Sequence, residues 1–228
     1  MRFSNAIALL AIVASTNGAG ADEWDNCRGG SDLERIIASC TKLIETPGID
    51  PASVGHAFSR RAYGYARSGH EERAIRDYDE AIRILLSVRN PDPHDPKWRL
   101  LNNYRAIAYN NRSNAYFLLG KAAQSLSDAD KAVEFAPQEP HFYAQRGTTR
   151  QSLGDQQGAI GDHDAAMALG GTRWIKHYQC GLRLARLYSG PIDGTLRPEL
   201  HTALRICVDK GRSCPAWSGD PECPDFTG

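Results

Sequence analysis

Residues 1–228 contain no apolar run long enough to cross a bilayer; about 20 such residues are needed, and the one clean run, Ala6 to Ala14, is far shorter. Excess charge of either sign is missing too, since lysine plus arginine and aspartate plus glutamate both total 27. That balance excludes the basic footprint of a nucleic-acid or anionic-membrane binder. There is no Gly-x-Ser-x-Gly elbow, no phosphate loop and no dinucleotide fingerprint, so the common sequence signatures of catalysis are lacking. Cys-x-x-Cys pairs are also lacking, which disfavours zinc. Lysine is scarce beside arginine, and no function follows from that.

The first 21 residues read as a targeting segment rather than as fold. Arg2 gives a short positive start, Ala6–Ala14 the apolar stretch, and Ala19-Gly20-Ala21 the small-x-small form accepted for cleavage. A mature chain beginning at Asp22 is expected in the periplasm or secreted, with no lipid anchor, because the first cysteine is Cys27, away from the apolar run. All six cysteines, Cys27, Cys40, Cys180, Cys207, Cys214 and Cys223, follow that segment, an even number suited to disulfides in an oxidising compartment. Cys27 with Cys40 closes a short loop and is the favoured first pair. For the other four, Cys180 with Cys207 and Cys214 with Cys223 is preferred, with Cys207 to Cys214 as the rival.

A helix-turn-helix pattern recurs through the middle of the chain. Gly120 and Gly154 stand 34 positions apart, and the strings 110–116 and 144–150 align residue for residue. An earlier copy carries Arg61-Ala62 with Tyr65, Gly69, Ala74, Tyr78 and Ala81. Small residues at Ala62, Ser113 and Gly147 let paired helices approach, while Tyr65, Tyr116, Tyr78 and Leu126 are large enough to fill the space between hairpins. Each glycine supplies the positive φ that ends a first helix. Residues 32–44 form a half copy with one apolar face, Leu33, Ile36, Ile37, Leu43 and Ile44, capped by Ser31 or Asp32 and preceded by coil. Between the first two full copies the register slips, and Pro91, Pro93 and Pro96 forbid a helix there. A loop followed by a lengthened helix from about Lys97 is expected.

This pattern resembles the tetratricopeptide repeat, whose 34-residue unit has small residues, aromatics and a closing proline at these offsets. The resemblance implies an all-α helical-hairpin solenoid of about three and a half repeats, with 22–54 as N-terminal coil and capping helix and 55–171 as solenoid, the insertion lying near 87–100. It also implies that first helices line a concave groove for a protein or peptide partner. That places Arg60, Tyr63 and Arg67 beside Asn110, Asn111 and Asn114, then Gln145, Thr148 and Gln151. Amides donate to and accept from an extended backbone, and arginines fork onto carboxylates. Asn114 matches the asparagine of the family's carboxylate clamp, whereas Asn110 stands where a lysine is expected. The competing reading is a set of solvated helix positions.

Residues 172–228 contain a second pattern. Ile175, Gln179 and Leu182 precede Tyr188, Gly190, Pro191, Ile192, Asp193 and Gly194, then Pro198, Ala203 and Leu204. These offsets resemble a three-helix peptidoglycan-binding-like module, implying a disulfide-stapled unit whose turn, Tyr188, Gly190, Pro191, Asp193 and Gly194, touches the cell wall. Leu187, Arg197, Leu200 and Ile206-Cys207 depart from that family. The plainer alternative is a cap on the last repeat. Asp162-His163-Asp164 and Asp92 with His94 and Asp95 resemble metal or acid-base clusters, but each lacks a completing ligand, and His163 occupies the inward offset of Tyr78. A site at His177 and His201 requires that they converge in an open cleft, which so short a module does not offer. No cofactor, metal or catalytic residue is expected. The chain reads as a non-enzymatic periplasmic adaptor, alternatively as an accessory subunit of a cell-wall hydrolase, and third as an enzyme with an unrecognised site.

Overall fold

A computed structural model describes residues 19–89, 92 and 94–211. Among them every regular element is helical: α1 (Ala19–Arg28), α2 (Leu33–Glu45), α3 (Pro51–Arg67), α4 (Glu71–Ser87), α5 (Pro96–Leu118), α6 (Ala122–Phe135), α7 (Pro140–Ser152), α8 (Gln156–Leu184) and α9 (Pro198–Asp209). The expected all-α architecture of helical hairpins is what these residues form. Helices begin where the sequence satisfies orphan amides: Asp32 accepts from Arg35 N at 3.0 Å, Asp50 from Ser53 N at 3.0 Å and Asp95 from Lys97 N at 2.8 Å. Pro51, Pro96 and Pro140 open the three first helices, where a missing N–H costs nothing.

One turn is used three times. Gly69, Gly120 and Gly154 have φ of 76°, 71° and 80°. The following residue then closes back on the first helix, His70 N to Tyr65 O and Lys121 N to Tyr116 O at 2.9 Å, and Asp155 N to Arg150 O at 3.0 Å. Three hairpins result, α3–α4, α5–α6 and α7–α8, and neighbouring hairpins pack through α4–α5 and α6–α7. Between them Ala62, Ala74, Tyr78 and Ala115 form one buried cluster. Ser113 donates to Ser125 O at 2.8 Å, and Ser125 Oγ lies 3.1 Å from Thr149 Oγ1, so a buried hydroxyl chain ties α5, α6 and α7. The slot left by Gly147 is filled by the His163 ring. Of the expected fillers only Tyr78 is fully buried; Tyr65, Tyr116 and Leu126 are half-buried.

Two expectations are corrected. The segment before the half copy is the helix α1 rather than coil: Cys27 bonds to Cys40, and Trp24 packs on the cluster of Cys27, Ile36, Cys40, Leu43 and Ala57. Tertiary contact orders a stretch whose own sequence is polar. The C-terminal region is also not a separate three-helix unit among the described residues. It contributes the second half of α8 and α9, and shares one core with the last hairpin, in which Ala144, Ala159, Ala166 and Met167 meet Trp174, Tyr178, Leu182, Leu200 and Leu204. Only a break at Gly171 (φ 61°) marks the expected boundary at 171. The expected leader lies outside the described residues except for Ala19–Ala21, which open α1, and no helix among those described is long and apolar enough to cross a membrane. Cys180 and Cys207 are disulfide-bonded, and Cys214 and Cys223 lie outside the described residues.

Candidate functional site

The first helices also pack on one another, α3 on α5 and α5 on α7, so their exposed faces run side by side. Arg67 and Asn114 are exposed on this layer, and Tyr63, Asn111, Gln145 and Thr148 are half-buried. Arg60 is occupied, its Nε donating to Cys27 O at 3.2 Å and its guanidinium lying 5.0 Å from the Tyr63 ring. Thr148 turns its hydroxyl back to Ala144 O at 3.1 Å. Asn110 is 5% exposed; its Nδ2 makes a long contact of 3.4 Å to Asn111 Oδ1, and its Oδ1 has no partner. Burying an unsatisfied carbonyl costs about 1–3 kcal/mol, a cost borne inside the layer because this oxygen is shut off from solvent. Gln151 donates to Val208 O at 3.1 Å, and the end of α9 therefore packs against this side chain at the end of α7.

A ladder of ion pairs, unforeseen in the sequence, fixes the hairpins under this layer. Arg61 forks onto Asp77 at 2.7 and 3.0 Å, Arg112 onto Asp128 at 2.7 and 2.8 Å, and Arg146 onto Asp162 at 2.9 and 2.7 Å. Each arginine also reaches the preceding unit: Arg61 to Thr41 Oγ1 at 3.2 Å, Arg112 to Asp79 at 2.6 Å and Arg146 to Asp130 at 3.1 Å. Burial opposes the Arg112 charge, yet its hydrogen bonds to Asp128 and Asp79 and their negative charges more than offset that and hold its guanidinium above the ordinary value. The signal for the ladder was present as Arg and Asp spaced by 16 in all three copies. A further arginine, Arg105, is 4% exposed and caps α4 by donating to Leu85 O at 3.0 and 2.9 Å and to Val88 O at 3.1 Å, where the helix dipole favours a cation.

The suspected acid-base clusters are taken apart by this packing. Asp162 serves Arg146 and Arg150, His163 Nδ1 faces Tyr178 Oη at 2.9 Å, and Asp164 faces His201 Nδ1 at 3.0 Å. Burial lowers His163 to about 4, leaving a neutral core imidazole at neutral pH. Asp92 accepts from His94 N at 2.9 Å and Asp95 caps α5, so both belong to the turn. His177 is buried beside Trp174, whereas His201 lies against Asp164. A shallow cavity of about 870 Å³ lies between the start of α5, with Trp98 and Leu100, and the Phe135–Glu139 turn, where the inserted residues lengthen α5.

The 188–194 turn is satisfied from within. Tyr188, 5% exposed, donates to Pro191 O at 3.1 Å, Gly194 N donates to Gln179 Oε1 at 2.9 Å, and Gln179 Nε2 donates to Thr195 O at 2.9 Å. Asp193 is gripped by Arg197 at 2.8 and 2.6 Å and by Thr195 N at 2.9 Å, which hold its carboxyl far below the usual carboxylate range. Gly190 O accepts from Arg183. The turn's polar atoms are engaged in shaping it.

No family model matches the chain. RNA polymerase II-associated protein 3 of Xenopus laevis is 29% identical over 132 residues, covering 58% of this chain and 18% of that protein. FK506-binding protein-like of Mus musculus is 28% identical over 125 residues, covering 55% of this chain and 33% of that protein. The chain thus spans only 18% to 33% of the length of these curated relatives. Among solved structures, the MamA protein is similar with TM-score 0.49 and 16% identity, covering 86% of this chain and 88% of that one. The TPR2AB domain of yeast Sti1 in complex with pHSP90 gives TM-score 0.28 and 18% identity, covering 66% of this chain and 74% of that one. At these scores the fold rests on the hairpins, turns and ladder of the chain itself.

Proposed function

We propose that the protein is a non-enzymatic binding scaffold whose layer of first helices holds an extended segment of a protein partner. The observation that carries this reading is the run of accessible polar side chains along the layer: Arg67 and Asn114 exposed, with Asn111 and Gln145 half-buried beside them. An extended backbone supplies N–H donors and C=O acceptors that such side-chain amides pair with. The acidic and histidine groups near the core are committed to ladder and packing contacts, which favours binding over catalysis. Placement in an oxidising compartment, the periplasm or outside the cell, is supported by the Cys27–Cys40 bond and by the disulfides of Cys180 and Cys207.

A photo-crosslinking side chain placed at Asn114, at Arg67 and, as control, at Arg83 on α4 tests the groove. One discrete partner joined at the first two positions and absent at Arg83 is expected; equal labelling at all three sinks the reading. The identity of that partner separates a general scaffold from an accessory subunit of a cell-wall hydrolase. For the C-terminal region, the shared core and the self-satisfied 188–194 turn favour a cap over a wall anchor. Sedimentation of the full chain with insoluble peptidoglycan decides: pelleting restores the anchor, and protein left in the supernatant leaves the cap. A chain ended at Gly171 is unsuitable, because Met167 and Ala166 would lose their cover.

A further inference from the structure

The even balance of charge along the whole chain conceals a division between the two helix layers. The first helices of the hairpins carry cations and no acid: three arginines in α3, one lysine and three arginines in α5, and two arginines in α7. The second helices hold the carboxylates, five in α4, three in α6 and, before the break at Gly171, Asp162 and Asp164 in α8. The ladder neutralises only part of this division. Arg61, Arg112 and Arg146 fork onto second-helix aspartates, Arg150 reaches Asp162, and Arg105 is spent on the end of α4.

On the exposed face of the layer cations are left over. Arg67 is exposed at the end of α3, Arg60 is half-buried two turns earlier, and Arg28 is exposed at the end of α1, which packs beside α3. None of the three forms an ion pair among the described residues. Arg60 has only Cys27 O and the Tyr63 ring, and Arg28 lies 5.2 Å from the Trp24 ring. Nearby acids are turned elsewhere: Glu23 of α1 accepts from Lys42 at 2.6 Å, and Asp50 caps α3. The uncompensated charge is felt inside the layer. Arg60 and Arg28 add to burial in pressing the His56 imidazole down to about 4, and no carboxylate opposes them there. Further along, Asn111, Asn114 and Gln145 bring amides and no charge.

We propose that the segment held by the layer is acidic, its carboxylates lying over α3 against Arg60, Arg67 and Arg28 and its main chain continuing over the amides of α5 and α7. This rests on the groove reading above and names the chemistry of the occupant. Guanidinium groups fork onto carboxylates, and helices free of acids offer an acidic segment no repulsion. A carboxylate arriving at Arg60 does there what Asp77, Asp128 and Asp162 do for the arginines of the ladder. Side-chain carboxylates suffice, because Arg60 and Arg67 stand about 10 Å apart along the helix axis rather than gathered around one chain terminus. A nucleic acid fits less well, since beyond α3 the face has no further cations to follow a phosphate track.

Binding of short probes to the oxidised full chain, read by fluorescence anisotropy at pH 7, tests this without the natural partner. The probes are hexaglutamate and hexaglutamine, each acetylated and amidated so that no terminal charge remains, and a six-nucleotide thymidine strand. Hexaglutamate is expected to bind and to weaken as salt is raised, with hexaglutamine about tenfold weaker, the product of the separate pairs. Arg67→Gln and Arg28→Gln should each weaken hexaglutamate about twofold to fivefold, the worth of a part-exposed ion pair. Arg76→Gln, an equal loss of charge at an exposed position of α4, should change it by less than about twofold. Absent binding of hexaglutamate, equal binding of hexaglutamine, an equal effect of Arg76→Gln, or tighter binding of the thymidine strand overturns the inference. Crosslinking at Asn114 judges the groove regardless of the charge of what it holds, so the two readings fail separately.

Discussion

Arg112→Met tests whether the ladder or the apolar contacts hold the central hairpins together. The side chain is 17% exposed and its main partner Asp128 only 7%, whereas its second partner Asp79 is 53% exposed. Removing one member of a buried pair costs about 3–5 kcal/mol, and exposed pairs are worth less than about 1 kcal/mol. Arg112 also lies 5.5 Å from the Tyr109 ring and 5.7 Å from that of Tyr116, contacts that methionine partly retains. For a pair slightly short of full burial, a loss of about 2–4 kcal/mol is expected, while Asp79→Asn should cost under about 1 kcal/mol. Urea unfolding at neutral pH, with disulfides intact, measures both. The double variant Arg112→Met with Asp128→Leu should recover part of the loss, since the orphaned carboxylate is gone. If Arg112→Met costs no more than Asp79→Asn, the ladder is decoration and the argument fails.

Three further outcomes follow from named contacts. Burial lowers His163 to about 4, and burial with the Arg60 and Arg28 charges does the same for His56. The unfolded chain therefore takes up protons first, so stability present above about pH 6.5 is lost as pH falls toward 4, and His163→Leu should flatten the pH 7 to 5 decline by about 2 kcal/mol; an unchanged decline contradicts the assignment. Gly194→Ala places a methyl 2.7 Å from Thr172 O at a φ of +78° and should cost about 1–3 kcal/mol, read as a lowered Tm, whereas a neutral result would mean the turn does not hold this geometry. Replacing Cys27 and Cys40 together by serine removes a staple across a sequence separation of 13 and should cost about 3 kcal/mol, with exchange protection lost first in α1; retained protection there would show that packing of Trp24 suffices.

Much of the hairpin order was legible because it depends on local rules. Glycine after the first helix, proline at its start and a small residue where helices cross each have one physical meaning, and they recur at a fixed offset. The ladder was not legible in that way. Arg61 and Asp77, like Arg112 and Asp128, lie 16 apart on different helices, beyond any i to i+4 rule, and charged residues read one at a time look like solvated surface. Helix α1 was missed because Ala19–Arg28 is polar and is held by a disulfide and one tryptophan. Among the groove residues, helix phase gave the face but not the depth: Asn114 is exposed, Asn110 sealed, and Arg60 and Gln151 already engaged by Cys27 and α9. Depth and occupancy come from neighbours distant in sequence.

The distribution of core side chains says why polar contacts matter in the middle of this array. Large apolar groups gather outside the central hairpin: Ile36 and Leu43 at one end, Tyr78, Ile82 and Leu85 in α4, and Trp174, Tyr178, Leu182, Leu200 and Leu204 at the other end. In the central hairpin the buried apolar set is mostly alanine, Ala106, Ala108, Ala115, Ala129 and Ala132, and the buried polar set is Arg105, Asn110, Ser113, Ser125 and Asp128. Alanine methyls contribute little area, so burial alone specifies the angle between hairpins weakly. Forked arginines and hydroxyl chains contribute little net free energy while they are matched, but a mismatched register leaves each of them orphaned at about 1–3 kcal/mol. The centre is therefore held less by the depth of its minimum than by the cost of its alternatives. On the proposed groove reading, that rigidity would keep Asn111 and Asn114 aligned for an extended chain, and substitutions at Arg112 or Asp128, away from the exposed face, would weaken binding.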